Sequence, residues 1–283
     1  MTIEAHMLAD GRRLHLNQGP IDLIIEAVGP GRHDAYDLAV RRFAGLLEEL
    51  VDELPALRLG AEKGRPFDGP VARRMQRAVC PFLPRFITPM AAVAGAVADE
   101  VLAAMIAAPD IDKIYVNNGG DVAFYLGPGQ QIEAAIAAGM AGRIVISNGD
   151  DCRGVATSGW RGRSHSLGIA DSVSVVARDA ASADAAATLI ANSVDLPGHG
   201  AISRIPANDL SPDSDLGRRP VTQHVGRLSP DEISQALDRG EKYAAALLGQ
   251  KLIAGAMLML RNQVRQVGPP MLIAQHTGER AYG

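Results

Sequence analysis

The sequence predicts a mixed α/β (α+β) protein, on two observations. Short apolar runs (Ile21 to Val28, dense in β-branched residues, and Lys113 to Val116, Val122 to Leu126 and Ser172 to Ala177) read as strands, with Gly, Pro or Asn pairs at several of their ends. Between them lie longer stretches whose apolar residues recur at three and four, the spacing of one helix face. With 47% apolar but only 4% aromatic residues, the 283-residue chain can bury a core, and that core must be aliphatic and Ala-rich.

Residues 13–29 (RLHLNQGPIDLIIEAVG) predict one or two strands. Asp34 to Leu54 predicts one helix, with Leu38, Phe43, Leu46, Leu47, Leu50, Val51 and Leu54 on its core face, Asp34 as N-cap and Pro55 as stop. Residues 56–84 are loop-like apart from a short basic helix, VARRMQRAV. Arg65, Arg73, Arg74 and Arg77 there face either an anionic ligand or solvent. Thr88-Pro89 opens the next helix by N-cap and N1 chemistry. The segment MAAVAGAVADEVLAAMIAA is apolar on most sides and should be buried.

Asn117-Asn118-Gly119-Gly120-Asp121 joins two strands. Paired glycines permit positive φ and leave backbone N–H groups to face a ligand. The same residues also fit an ordinary hairpin turn. Gly127-Pro128-Gly129 lacks the third glycine of a dinucleotide fingerprint. Residues 131–138 and 143–147 read as two strands, or as a short helix and a strand. From Pro197 to about residue 228 the chain reads as a long irregular connection. Ser229-Pro230-Asp231-Glu232 is a capping box. Helical spacing then runs from Ile233 to about Val267, with Gly240, Gly249 and Gly255 as candidate breaks. The expected organisation is a core over 1–228 and a helical C-terminal extension, 229–283, packed on it. The Met- and Leu-rich C-terminal helix is a candidate surface for a homo-oligomer.

The formal net charge of −4 gives no electrostatic case for nucleic acid or an anionic membrane surface. No run approaches the roughly 20 apolar residues of a membrane span. The N-terminus lacks the basic-then-apolar order of a signal peptide, so a soluble, cytoplasmic protein is expected. Cys80 and Cys152 suggest no disulfide framework. The histidines show no H-x-H or H-x₃-H spacing and the cysteines no C-x₂-C, so a structural zinc site is not expected. Thr157-Ser158-Gly159 is not G-x-S-x-G, so no nucleophile elbow is indicated.

The chain is organised around Cys152 to Asn192. A Thr157-Ser158-Gly159 turn comes first, with Arg161, Arg163 and His165 behind it; a strand and a small-residue helix follow. On that helix Asp184 and Thr188 are four apart and share one face. Together they offer two hard oxygens, which suits Mg²⁺ shared with a phosphate. A cap at Ser182 or Asp179 would put Asp184 in the first turn, where the helix dipole favours an acid with no metal at all. His165, in a loop rich in Gly and Arg, is either a base near neutral pH or without a role.

Four blocks follow one another in the order of a known family. AAVAGAVAD (91–99) resembles its GAxAKGYAxD helix, and VNNGGD (116–121) its VNxGGD turn. VATSGWRGRSHS (155–166) resembles its ATSG…H loop, and SVSVVARDAASADAAAT (172–188) its SVTVVAxxAxxADAxAT strand and helix. The chain thus resembles the ApbE-like superfamily of Mg²⁺-dependent FAD:protein FMN transferases, in particular its UPF0280 branch. The resemblance implies a sandwich of packed helices on a mixed, mostly antiparallel sheet. It implies Mg²⁺ held by Asp184, Thr188 and the carbonyl of Ala91, and FAD or FMN near Asn118, Gly119, Gly120, Asp121, Thr157 and Ser158. It places His165 near the histidine proposed to deprotonate an acceptor threonine, and it implies a flavoprotein acceptor as partner.

Departures from the pattern bear on that reading. Ala94 stands where the family has lysine, and the SE-x-x-x-LN segment has no counterpart in residues 56–80. The loop between Gly159 and Ser172 is short, and the HxxxP segment is absent. Three readings remain open: an FMN transferase-like enzyme, a non-catalytic flavin- or ligand-binding accessory protein, and another enzyme acting on a different phosphorylated small molecule.

Overall fold

The structure, a computed structural model, describes residues 3–64, 66–137, 141–162, 164–269 and 272–274. The strands are β1 (Glu4–Met7), β2 (Leu14–Gln18), β3 (Ile21–Val28), β4 (Lys113–Asn118), β5 (Asp121–Leu126), β6 (Gln131–Ala137) and β7 (Ala141–Ser147). They continue with β8 (Gly154–Ser158), β9 (Ser172–Ala177), β10 (Ile202–Pro206), β11 (Pro220–Val225), β12 (Gly255–Leu260), β13 (Gln263–Val267) and β14 (Leu272–Ala274). The helices are α1 (Arg32–Phe43), α2 (Leu46–Leu57), α3 (Pro70–Val79), α4 (Val93–Met105), α5 (Ala180–Ser193), α6 (Ala207–Leu210) and α7 (Pro230–Gly249).

Nine strands form one sheet in the order β1-β2-β3-β4-β5-β8-β9-β12-β13, and each neighbouring pair is antiparallel. Chain order equals spatial order, so β3 and β4 become neighbours only because α1 to α4 lie between them in sequence and fold back over the sheet. Strand β3 alternates buried and half-buried along its length. Its Ile21, Leu23, Ile25 and Ala27 join the main core, in which Ile114, Val116, Val173, Val175 and Leu258 also lie. A second small core on the opposite face holds Phe124, Leu126, Val155, Val176 and Met257 with Ile146. Ile146 comes from β7, in the three-stranded sheet β14-β7-β6. Strand β9 is therefore buried on both faces and lacks alternation.

The architecture is the α+β class expected, with several local corrections. The single helix predicted over Asp34 to Leu54 is two: Ala44 is extended and Gly45 takes φ +84, which breaks the chain between α1 and α2. Gly31, not Asp34, sits at the N-cap of α1, and Pro55 lies inside α2 instead of stopping it. Thr88-Pro89 opens a 3₁₀ turn, Pro89–Ala92, ahead of α4. The irregular stretch 198–228 contains the hairpin β10-β11 with α6 between its strands.

The capping box at Ser229 forms as expected. Helix α7 nevertheless ends at Gly249, and residues expected to continue it make β12 and β13, two strands of the main sheet. Residues 230–267 thus supply a helix, α7, and two strands of the main sheet, β12 and β13. Strand β12 is buried at every position, so its sequence GAMLML shows no period of two and reads equally well as helix. Of the last residues, only 272–274 lie within the described part, as β14.

Candidate metal and ligand corner

Helix α5 packs closely on both α4 and β8 because a glycine on each leaves room. A Cβ on Gly95 of α4 would lie 2.2 Å from the Ala180 carbonyl oxygen, and one on Gly154 of β8 would lie 2.1 Å from the Ala180 nitrogen. The start of α5 is thereby wedged between α4 and the sheet. Three of its N–H groups find carboxylates. Asp179 is the N-cap and accepts from Ser182 N at 2.7 Å. Asp99, one turn along α4 from Gly95, accepts from Ala180 N at 3.0 Å and Ala181 N at 2.9 Å. Burial pushes Asp99 up to about 7, against the pull of those two N–H groups.

With Asp179 as cap, Asp184 lies beyond the first turn of α5, which contains no acid. The helix dipole, which fades within that turn, therefore does not account for it. Asp184 Oδ2 accepts from Gly95 N across the helix seam at 3.1 Å. Its carboxyl also meets that of Asp121, the first residue of β5. Burial first, and the facing Asp121 second, hold the Asp184 carboxyl well above its ordinary pKa, against hydrogen bonds from Gly95 and Ala94. The residue keeps some surface exposure although its carboxyl sits deep.

Asp121 is buried and also accepts from Thr157 N at 3.1 Å, which ties the end of β8 to the corner. The Thr157 hydroxyl pairs with that of buried Ser174 at 2.8 Å. Asn118, at the end of β4, is buried and donates to the Ala94 carbonyl at 3.1 Å. The turn between β4 and β5 is a hairpin with Asn118 opposite Asp121, Gly119 at φ +64 and Gly120 at φ +117. The Gly120 N–H donates to Asn117 Oδ1 at 2.8 Å, so this donor is used within the turn instead of facing a ligand.

Thr188 lies one turn beyond Asp184 on α5 and is half-buried. Ala91 lies in the 3₁₀ turn Pro89–Ala92, which packs on α5. That turn is held by Thr88, whose hydroxyl donates to Asp215 in the connection between α6 and β11. Ser158 ends β8 opposite Val173. His165 is exposed on the loop after β8, and among the described residues no hydrogen bond or ion pair ties it to the corner. Arg163 and Arg65 lie outside the described residues. Arg74 is spoken for by Glu100, at 2.7 Å, and Arg73 by the Asp68 carbonyl.

Among the described residues no three His, Cys, Asp or Glu side chains converge. A cation here would take its charge from Asp121 and Asp184 and complete its shell with neutral or ligand oxygens. That donor set fits Mg²⁺, which accepts one or two carboxylates and keeps other positions for water and phosphate. Sequence reasoning missed Asp99 as the partner of α5, although an acid in the apolar run AAVAGAVAD must find donors once buried. It also missed that Asp121 meets Asp184, a contact between residues 63 positions apart that no local pattern encodes.

A family profile described as "AbpE bacteria" matches residues 5–266. The chain belongs to this ApbE-like family and, within it, to the UPF0280 branch. A UPF0280 protein from Methanothrix thermoacetophila is 37% identical over 133 residues, 44% of this chain and 52% of the relative. One from Methanopyrus kandleri is 37% identical over 167 residues, 54% of this chain and 62% of the relative. One from Methanosarcina acetivorans is 32% identical over 180 residues, 60% of this chain and 68% of the relative. The match thus spans only about half to three-fifths of the first two relatives. The apo crystal structure of Pseudomonas stutzeri flavinyl transferase ApbE aligns over 95% of each chain at 13% identity, with a TM-score of 0.41. No helix among the described residues is long and apolar enough to cross a membrane.

Proposed function

We propose that this protein binds a phosphorylated small molecule, foremost a flavin nucleotide, through Mg²⁺ at the Asp121–Asp184 corner. The observation that carries the reading is the meeting of two carboxyls from different elements, one buried and one deep in the helix seam. Ionised together and without a cation they repel, so the pair is stable only with a shared proton or a bridging positive ion. Thr188 and the Ala91 carbonyl are the neutral oxygens assigned to the same ion, and Asn118, Thr157 and Ser158 border the ligand. Mg²⁺ bound here would neutralise a diphosphate and polarise its P–O bonds. In the catalytic form of the reading, His165 takes the proton of an acceptor hydroxyl.

The test is calorimetry with FAD in the presence and absence of Mg²⁺. Wild type binds FAD only with the cation, and Asp184→Ala loses that Mg²⁺-dependent binding. Absence of binding, or equal binding by the variant, removes the reading.

Two observations favour a ligand-binding role without transfer: Ala94 stands where the family's lysine would be, and the Gly120 N–H is already engaged by Asn117. Incubation with FAD, Mg²⁺ and a flavoprotein acceptor separates the two. Covalent fluorescent product marks a transferase, while binding without product marks an accessory protein.

A further inference from the structure

We propose a second cation site of different chemistry, a cross-strand histidine pair at the edge of the main sheet made by His6 and His15. His6 on β1 and His15 on β2 are direct register partners. Their rings meet edge to face with centroids 4.9 Å apart, and His6 Nε2 lies 3.4 Å from His15 Nδ1. The other nitrogen of His15, Nε2, lies 2.5 Å from Asp22 Oδ1 on β3. An ionised carboxylate can only accept, so Asp22 fixes the proton of neutral His15 on Nε2. That leaves the Nδ1 lone pair of His15 directed at His6.

The spacing suits a shared metal. Two imidazole nitrogens each about 2.0–2.1 Å from a tetrahedral ion stand roughly 3.3–3.4 Å apart. The separation found is 3.4 Å, the span of a His6 Nε2–H to His15 Nδ1 hydrogen bond, so an ion replaces that proton once His6 carries its own on Nδ1 and both lone pairs turn toward the metal. Asp22 then stands as the outer carboxylate of a carboxylate–histidine–metal arrangement, which orients the ring and raises its basicity. His6 is exposed and His15 half-buried, so an ion has a direct path from solvent. No third His, Cys, Asp or Glu converges among the described residues, so water completes the shell. Nitrogen ligands favour a late first-row divalent ion, Zn²⁺, Ni²⁺ or Cu²⁺, over Mg²⁺. The site thus differs from the oxygen-lined corner in the ion it selects. It escaped sequence inspection because the histidines are nine residues apart, on either side of a turn, and not on one helix face.

The experiment is a ZnCl₂ titration of the chelator-treated full chain, followed by calorimetry and by ¹⁵N NMR of the imidazole nitrogens. Wild type binds Zn²⁺ with shifts at His6 Nε2 and His15 Nδ1. His6→Ala and His15→Ala each lose that binding, and Asp22→Asn weakens it about tenfold or more. Asp184→Asn keeps it, which separates this site from the proposed flavin corner. Melting curves in EDTA confirm that the exposed β1 substitution leaves the fold intact. Unmoved imidazole signals, wild-type affinity in the His6→Ala, His15→Ala double variant, or loss of Zn²⁺ binding only in Asp184→Asn would each overturn the proposal.

Discussion

Asp99 and Asp184 face each other's helices across the same seam, and they solve opposite problems. Asp99 projects from α4 and takes two N–H groups from the first turn of α5. Asp184 projects from α5 and takes one N–H from Gly95 of α4. Both are displaced upward in pKa, by burial in the first place. Asp99, however, has both oxygens occupied by backbone donors, whereas Asp184 is turned toward a second carboxyl, Asp121. The first arrangement completes a helix terminus. The second brings two carboxyls together, which is stable with a shared proton or, as proposed, with a bridging cation.

This contrast yields measurements of decreasing size. The largest effect belongs to the seam itself. Gly95→Ala forces a methyl against the Ala180 carbonyl, backbone that cannot swing aside, and should cost about 3 kcal/mol or more in denaturant unfolding. A loss below about 1 kcal/mol would mean the helices are not packed this closely.

Asp99→Ala comes next. It leaves two buried N–H groups of α5 unpaired and should cost about 2–4 kcal/mol. Asp99 also sets a pH dependence with a defined sign. Its folded pKa, about 7, is above the ordinary Asp value of about 3.9, so its contribution is full below about pH 4 and falls as pH rises toward 7. Unfolding free energies across that window should decline in wild type and decline less in Asp99→Asn.

The smallest effect on stability belongs to Asp184→Asn. Removing one of two facing acids relieves desolvation and repulsion, so without added cation the change should lie within about 1 kcal/mol of zero or be slightly stabilising. A loss as large as that of Asp99→Ala would make Asp184 a structural residue like its counterpart.

How much of this was legible in the sequence follows from where the information lies. Strands β3, β5 and β9 and the existence of α5 are readable because period and punctuation are local. The capping box of α7 was readable for the same reason. Strand β12 was not, since burial on both faces erases its alternation. The break at Gly45 was hidden in an apolar pattern that continues across it. At the corner, the i, i+4 relation of Asp184 and Thr188 was visible, while the approach of Asp121 and the role of Asp99 depend on tertiary contacts. Asn118-Gly119-Gly120-Asp121 forms the hairpin its residue types favour, and that turn brings the Gly120 N–H onto Asn117.

On the proposed function the two facing acids hold a hard divalent ion. Crystals soaked in Mn²⁺, a hard stand-in for Mg²⁺ with an anomalous signal, test it most directly. An anomalous peak is expected between the carboxyls of Asp121 and Asp184, at oxygen-ligand distance from both, and it should disappear in Asp184→Asn. A map with no peak there, at a concentration that fills other sites on the molecule, would contradict it.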